Sequence, residues 1–393
     1  MHRKIIHLDL DAFFCAVEAL RDPSLNGKAF AVGGRPEERG VVASCSYPAR
    51  RRGVHSAMPM SQALRLCPGL LIAPARHTAY REMSRQVMAR LHALTPLVEQ
   101  LSIDEAFLDV TTLAEPGEAL AQRLQAAINR ELKLPCSLGV ATNKLVAKIA
   151  NDVGKAAATG DAPPNAITVA PAGQEAAFLA PLPADALWGV GPKTAARLAE
   201  LGIHTIGDLA RWPEADLARR FGKHGADLAQ HARGVDLRPV ITQREAKSIS
   251  SETTFARDVV DGAELRRALQ AQAAEVAGSL RKKQLFGATV KLKVRWADFT
   301  TITRQTTLAQ PTDDDGPLYA AANRLLGTVW RGQPVRLVGV GVSGLSSGAR
   351  QLGLWDKPDE RAERLAQAIK TLRARFGAGA IQRAGELAAL DDI

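Results

Sequence analysis

Residues 101–110 read Leu-Ser-Ile-Asp-Glu-Ala-Phe-Leu-Asp-Val, placing two adjacent carboxylates, Asp104 and Glu105, inside a run of apolar, strand-forming residues. A charge pair in such a run costs free energy unless it is solvated, paired or bound to a cation. A second apolar run bearing carboxylates lies near the N-terminus, Ile5-Ile6-His7-Leu8-Asp9-Leu10-Asp11. Mg²⁺ takes oxygen ligands, commonly one or two carboxylates together with substrate phosphates. Two such ions can activate an attacking oxygen and stabilise a leaving one. Asp9, Asp104 and Glu105, carried on neighbouring strands, are therefore a candidate metal set. Successive strand side chains point to opposite faces, so Asp104 and Glu105 can serve one site only where the chain bends, at a turn or bulge. From residue type alone, a solvated hairpin tip explains the pair equally well.

Three further stretches bear on phosphate chemistry. Residues 44–52, Ser-Cys-Ser-Tyr-Pro-Ala-Arg-Arg-Arg, bring hydroxyls and guanidiniums together, and arginine is a bidentate phosphate ligand. A solvated basic loop is the alternative. Trp188-Gly189-Val190-Gly191-Pro192-Lys193-Thr194 precedes a helical run. Its glycines permit a tight turn, Pro192 suits a first helical turn, and a helix N-terminus attracts anions. This is the pattern of a helix-hairpin-helix that grips DNA phosphates without reading sequence. In the C-terminal half, Lys291, Lys293 and Arg295 alternate along one predicted strand and share a face, either a backbone-tracking surface or an ordinary solvated one. Gln351-Leu352-Gly353-Leu354-Trp355 has the character of a short docking peptide, or of a segment that packs back on the body.

These residues need a scaffold. Over residues 1–170 short strand patterns alternate with helical ones, near 5–10, 78–94, 117–132, 137–140 and 143–153, which predicts an α/β unit. Residues 154–166 read as a Gly/Ala/Pro-rich surface loop. Short helices follow to about residue 235, then a polar tether over 236–247, then an α+β region from 248 to 345 with helices near 262–283 and 317–330. The tail holds one helical pattern, about 360–376. The chain has 393 residues, enough for several domains, and a formal charge of +10, which favours a polyanionic partner. The four cysteines, Cys15, Cys45, Cys67 and Cys136, form no CxxC pair, so buried free thiols in a reducing cytoplasm are expected rather than zinc or disulfides. The N-terminus runs straight into a strand-like segment with charges at Arg3, Lys4 and Asp9, which does not suit a signal peptide, and no apolar run reaches membrane-spanning length.

Leu8-Asp9-Leu10-Asp11-Ala12-Phe13-Phe14, Ser46-Tyr47-Pro48-Ala49-Arg50 and Ser102-Ile103-Asp104-Glu105-Ala106-Phe107, in this order and spacing, resemble the Y-family (translesion) DNA polymerases, most closely the DNA polymerase IV-like branch. The resemblance spans residues 1 to about 345, with a clamp-binding tail beyond. It implies a multidomain α+β right hand: a ferredoxin-like palm (1–11 and 78–168), small fingers (12–77), a helix-hairpin-helix thumb (169–235), a linker (236–247), an α+β little finger (248–346) and a tail (347–393). It implies Asp9, Asp104, Glu105 and the Leu10 carbonyl as ligands of two Mg²⁺ ions, with Mn²⁺ as a substitute. Ser44, Tyr47, Arg50 and Lys155 would hold the deoxynucleoside triphosphate, Phe13 would back its sugar, and Phe14 would be the steric gate against ribose. Gly189, Val190, Gly191 and Lys193, with Lys291, Lys293 and Arg295, would contact primer-template DNA. Gln351, Leu352, Leu354 and Trp355 would bind the sliding clamp. The implied enzyme is a cytoplasmic monomer that performs low-fidelity, template-directed synthesis in DNA repair without a proofreading exonuclease. Small residues Ala29, Ala31, Gly33, Gly34 and Ala43 would form a loose roof over the nascent pair.

Two features depart from the family pattern. Lys155 is followed by an apparent insertion, Ala-Ala-Ala-Thr-Gly-Asp-Ala-Pro-Pro-Asn-Ala, before the next strand, and nearly forty residues follow the docking peptide. Two alternatives compete: a catalytically inactive polymerase-like subunit that recruits others to the clamp, and a nucleotidyl cyclase with a similar palm. The first would lack the carboxylates; the second would need neither the hairpin nor the clamp peptide.

Overall fold

The computed structural model describes residues 2–347 together with Ala368, Thr371, Leu372, Arg375 and Phe376, which are helical. The Gln351–Trp355 peptide lies outside the described residues. The first region contains β1 (Ile5–Leu10), α1 (Phe13–Arg21), β2 (Phe30–Gly33), β3 (Val42–Cys45), α2 (Tyr47–Arg50), α3 (Met60–Leu66) and β4 (Leu71–Ala73). It continues through α4 (His77–Leu94), β5 (Val98–Gln100), β6 (Glu105–Asp109), α5 (Gly117–Leu132), β7 (Cys136–Ala141), α6 (Lys144–Ala157) and β8 (Ile167–Val169). A five-stranded sheet of order β5-β6-β1-β7-β8 forms the centre. Its two faces follow from alternation along β1. Ile6, Leu8 and Leu10 pack with Val87 and Leu91 of α4 and Leu120, Leu124 and Ile128 of α5. Ile5 packs with Phe107 and with Leu145, Val146 and Ile149 of α6 on the opposite face.

Helix α6 lies close against β7 because Gly139 has no side chain. A Cβ there would stand 1.9 Å from the Ala147 carbonyl oxygen. The helix starts where the Asn143 side chain accepts from the Val146 N–H, satisfying one otherwise unpaired donor. It continues through Ala157, so the first four residues of the expected 154–166 loop belong to the helix. The far end of that loop is knitted into the sheet rather than free: Asn165 Oδ1 accepts from Asn129 Nδ2 (3.0 Å) and from the Cys136 N–H (3.3 Å).

Strands β2, β3 and β4 make a separate three-stranded sheet of order β3-β2-β4. The small residues expected to form a roof are divided in purpose. Ala31 is fully buried in this subdomain's core. Gly33 is required by close backbone approach, since a Cβ would meet the Val41 carbonyl oxygen at 2.2 Å. Ala43 is exposed.

The helical region holds α7 (Glu175–Leu179), α8 (Pro192–Ala199), α9 (Ile206–Arg211), α10 (Glu214–Phe221) and α11 (Lys223–Ala232). Its core is continuous with the α6 face of the central sheet. Residues 236–247 form neither helix nor strand, and they are strapped down. Asp236 Oδ2 accepts from the Leu145 N–H at 3.1 Å. The buried Glu99 carboxylate accepts from the Ile241 N–H (2.9 Å), from Lys144 Nζ (2.8 Å) and from Arg244.

The last region contains β9 (Ser248–Val259), α12 (Gly262–Lys282), β10 (Phe286–Trp296), β11 (Thr301–Thr312), α13 (Asp315–Val329) and β12 (Val335–Ser346). Its antiparallel sheet has the order β11-β10-β12-β9. Strand β9 is an edge strand of mostly polar sequence that turns Ile249, Phe255 and Val259 to the packed face. Helices α12 and α13 cover that face, through Leu269, Val276 and Leu318 against Val290, Leu292 and Val294. The open face therefore carries Lys291, Lys293 and Arg295. Arg39, between β2 and β3, reaches across to Asp258 (2.6 Å) and to the Phe255 carbonyl (3.3 Å) on β9. No helix among the described residues is long and apolar enough to cross a membrane.

Candidate active site

The antiparallel pairing of β1 with β6 sets Asp9 directly opposite Glu105 and His7 opposite Phe107. Directly opposed residues project from the same sheet face, so both carboxylates face α6. Strand β6 begins only at Glu105. Before it the chain turns: Ser102 Oγ accepts from the N–H groups of Asp104 (3.1 Å) and Glu105 (3.0 Å). The bend that adjacent carboxylates require is thus present, held by a serine turn. It leaves Asp104 beside β1, where its carbonyl accepts from the Leu10 N–H at 3.1 Å. The Asp104 carboxylate itself is engaged by the Ser102 hydroxyl at 2.5 Å.

Two lysines of α6 neutralise the cluster. Lys148 Nζ is 2.9 Å from Glu105, and Lys155 Nζ is 2.6 Å from Asp9 and 3.5 Å from Asp11. Lys155 therefore reaches the site despite the unusual residues after it. Burial pushes the Asp9 carboxyl up to about 7, against the pull of Lys155. Burial acts on Glu105 in the same sense, but the hydrogen bond and charge of Lys148 outweigh it and hold this carboxyl below its usual range. Among the described residues no three His, Cys, Asp or Glu side chains stand preassembled as a metal cluster. The donor chemistry nevertheless fits a hard cation: carboxylate oxygens crowded together, offset only by flexible ammonium groups.

Asp11 is fully buried beneath this cluster. Its oxygens lie 2.9 and 3.0 Å from Ser137 Oγ, and one accepts from the Asn165 N–H at 2.9 Å. The Tyr47 hydroxyl approaches it at 3.4 Å. Burial, then the negative charge of Asp11, raise the Tyr47 phenol, so the hydroxyl stays protonated as a donor. Tyr47 and Arg50 share the single turn α2, with the Arg50 guanidinium 5.2 Å from the Tyr47 ring centroid and its Nε donating to the Cys45 carbonyl at 3.2 Å. Ser44 is buried on β3 one strand position earlier. Phe13 is buried in the core. Phe14 is half-buried and stacks on Tyr80 at 4.2 Å between centroids, 12° between planes.

The remaining expected residues lie elsewhere. Gly189 adopts φ +101°, Val190 is buried, and Gly191 caps the N-terminus of α8 with Pro192 in its first turn. The hairpin expected from Gly-Val-Gly-Pro is therefore formed, with Lys193 exposed in its first turn. On the C-terminal sheet Lys291 is exposed, Lys293 pairs with Glu252 at 2.7 Å, and Arg295 donates to Thr301 at 2.9 Å.

Sequence reasoning passed over Asp11, Lys148 and Tyr80. Asp11 and Lys148 had usable signals: Asp11 follows Asp9 at strand spacing, and Lys148 precedes Lys155 by two helical turns, hence on one face. Tyr80 had none, because its partner Phe14 is remote in the chain.

Comparison with known proteins agrees with this geometry. The impB/mucB/samB family model matches residues 8–152, its C-terminal domain model matches 246–354, and a DNA polymerase-iota thumb domain model matches 185–236. The chain is 43% identical over 388 residues to DNA polymerase IV of Desulfatibacillum aliphaticivorans, covering 97% of this chain and 96% of that protein. It is 43% identical over 347 residues to DNA polymerase IV of Listeria innocua, covering 87% and 95%. For DNA polymerase IV of Dehalococcoides mccartyi the identity is 38% over 385 residues, covering 97% and 96%. A solved Y-family DNA polymerase chimera superposes with a TM-score of 0.76 at 26% identity, covering 88% of this chain and 100% of that one. Neither a recruitment subunit nor a cyclase is favoured by these matches. By sequence and by fold, the chain belongs to the Y-family DNA polymerases, in the branch of DNA polymerase IV.

Proposed function

We propose that this DNA polymerase extends primers across damaged template by a two-Mg²⁺ nucleotidyl transfer centred on Asp9, Asp104 and Glu105. The observation that carries the reading is the opposition of Asp9 and Glu105 across β1 and β6, with the Ser102 turn placing Asp104 next to them. These carboxylates and the Leu10 carbonyl would hold the ions; when bound, the ions lower the pKa of the primer 3′-hydroxyl and neutralise the triphosphate. Divalent metal dependence is a property of the family; Mg²⁺ and the number two are our reading, with Mn²⁺ as a substitute.

The chain's own residues bind and orient. Lys155, here the counter-ion of Asp9, is within reach to exchange the carboxylate for a phosphate oxygen as the triphosphate arrives. Tyr47 and Arg50 present a hydroxyl and a guanidinium from one helical turn, and Ser44 lies beside them, together cradling the phosphates. Phe13 backs the sugar and Phe14 stands where a ribose hydroxyl would have to fit. The central sheet with α4, α5 and α6 serves as palm, residues 12–77 as fingers, the helical region as thumb and residues 248–346 as little finger. The Gly189-Val190-Gly191 hairpin with Lys193 takes duplex phosphates without reading sequence, and Lys291, Lys293 and Arg295 track the backbone from the open sheet face. The polymerase acts as a cytoplasmic monomer, recruited by the sliding clamp through Gln351, Leu352, Leu354 and Trp355. The proposed synthesis is of low fidelity and without a proofreading exonuclease.

Primer extension with Mg²⁺ tests the assignment. Asp104→Ala should abolish extension while leaving the melting temperature near wild type; wild-type extension by that variant refutes the site. Phe14→Ala should admit ribonucleotides, and unchanged sugar selection refutes the gate.

A further inference from the structure

Glu18 is a buried carboxylate that the proposed reaction does not use. It is 1% exposed and sits on α1 one turn after Phe14, so both side chains project from one helix face. A buried carboxylate persists only when paired and hydrogen-bonded. Glu18 meets both demands from α4. Its Oε1 accepts from the Tyr80 hydroxyl at 2.7 Å, and its Oε2 is paired with the Arg76 guanidinium, from the residue just before α4. Tyr80 is fully buried, and its ring is the one stacked beneath Phe14 at 4.2 Å. His77 closes the set edge-on, 6.1 Å from Phe14 and 6.0 Å from Tyr80.

A stacked ring can slide or tilt at small cost, because an aromatic pair contributes little beyond burial. A charge-assisted hydrogen bond is directional and stronger. The Tyr80 hydroxyl therefore fixes what stacking alone leaves loose: the plane on which Phe14 rests. Arg76, paired with the other carboxylate oxygen, holds Glu18 in place for that bond. We infer that Glu18 is a positioning residue for sugar discrimination, locking Tyr80 as the floor of the Phe14 gate across the boundary between fingers and palm. This rests on the reading of Phe14 as the gate. A gate that yields by a fraction of an ångström readmits the hydroxyl it should exclude.

The test compares kcat/KM for dCTP and CTP opposite template dG, with the full-length chain. Tyr80→Phe removes only the hydroxyl, and Glu18→Gln keeps shape while removing charge; a melting curve accompanies each. Both variants should keep dCTP use within roughly threefold of wild type and raise relative CTP use about tenfold. Because the effect runs through the gate, adding Glu18→Gln to Phe14→Ala should change the sugar ratio no further. Equal losses for both sugars would make the network a fold support only and overturn the inference. So would an unchanged ratio in both single variants while Phe14→Ala relaxes selection, or an additive effect in the double variant. If Phe14→Ala itself leaves selection intact, the gate reading falls, and the role of Glu18 with it.

Discussion

Replacing Gly139 by alanine adds one methyl group outside the carboxylate cluster, yet it should weaken both fold and catalysis. The new Cβ would lie 1.9 Å from the Ala147 carbonyl oxygen and 2.5 Å from the Asn151 nitrogen, both backbone atoms of α6. To reach an ordinary carbon–oxygen contact of about 3.3 Å, the helix must withdraw by about 1.4 Å. Gly139 cannot yield instead, since β7 is paired on both sides, to His7 of β1 and Thr168 of β8. Overpacking of this kind costs about 1–3 kcal/mol, a fall in melting temperature of roughly 2–12 °C for a unit of about 170 residues. The same withdrawal carries away Lys148 and Lys155, now 2.9 Å from Glu105 and 2.6 Å from Asp9. A misplacement of about 1 Å in positioning groups can cost about a hundredfold in rate, so kcat/KM in single-nucleotide insertion should fall by ten- to a hundredfold. Gly278→Ala is the control. It lies within α12 with nothing within 4 Å of the added methyl, and should be neutral or stabilising by about 0.4–1 kcal/mol. Wild-type melting and wild-type insertion by Gly139→Ala would refute the claim that this contact sets the position of α6.

Three other outcomes follow from the same structure. Burial raises the Asp9 carboxyl to about 7, so a proton occupies it below that pH and must leave before a cation binds. Apparent Mg²⁺ affinity, titrated without DNA, should therefore weaken by up to about tenfold per unit as pH falls below about 7 and level off above it; a flat profile across this range would count against it. Glu99→Gln strips the buried charge that faces Lys144 at 2.8 Å and should destabilise by about 3–5 kcal/mol, with faster proteolytic cleavage within residues 236–247. Unaltered melting and cleavage would mean the tether is not held there. Leu354→Ala combined with Trp355→Ala should abolish stimulation by the sliding clamp and spare basal extension, and persisting stimulation would exclude the peptide.

Much of this protein was legible in its sequence because the informative residues are local. Leu8 to Phe14, Ser46 to Arg50 and Ser102 to Phe107 each declare their chemistry within a few positions, and Gly189 to Pro192 specify a turn and a helix start through backbone preferences alone. The apolar runs around Asp9 and around Asp104 and Glu105 mark these carboxylates as a candidate metal set. Strand β9 is not legible because its run is mostly polar, and α6 extends into the 154–166 segment because alanines suit a helix. Tertiary structure alone decided the rest. It set the register that opposes Asp9 to Glu105, the approach of α6 that Gly139 permits, and the pairing of Lys148 and Lys155 with those carboxylates. It joined Glu18 to Tyr80 beneath Phe14, and strapped the 236–247 tether to Glu99. Sequence records which side chains are present and what their neighbours in the chain can do; register and helix approach depend on packing between segments far apart in the chain, and no local pattern encodes that distance.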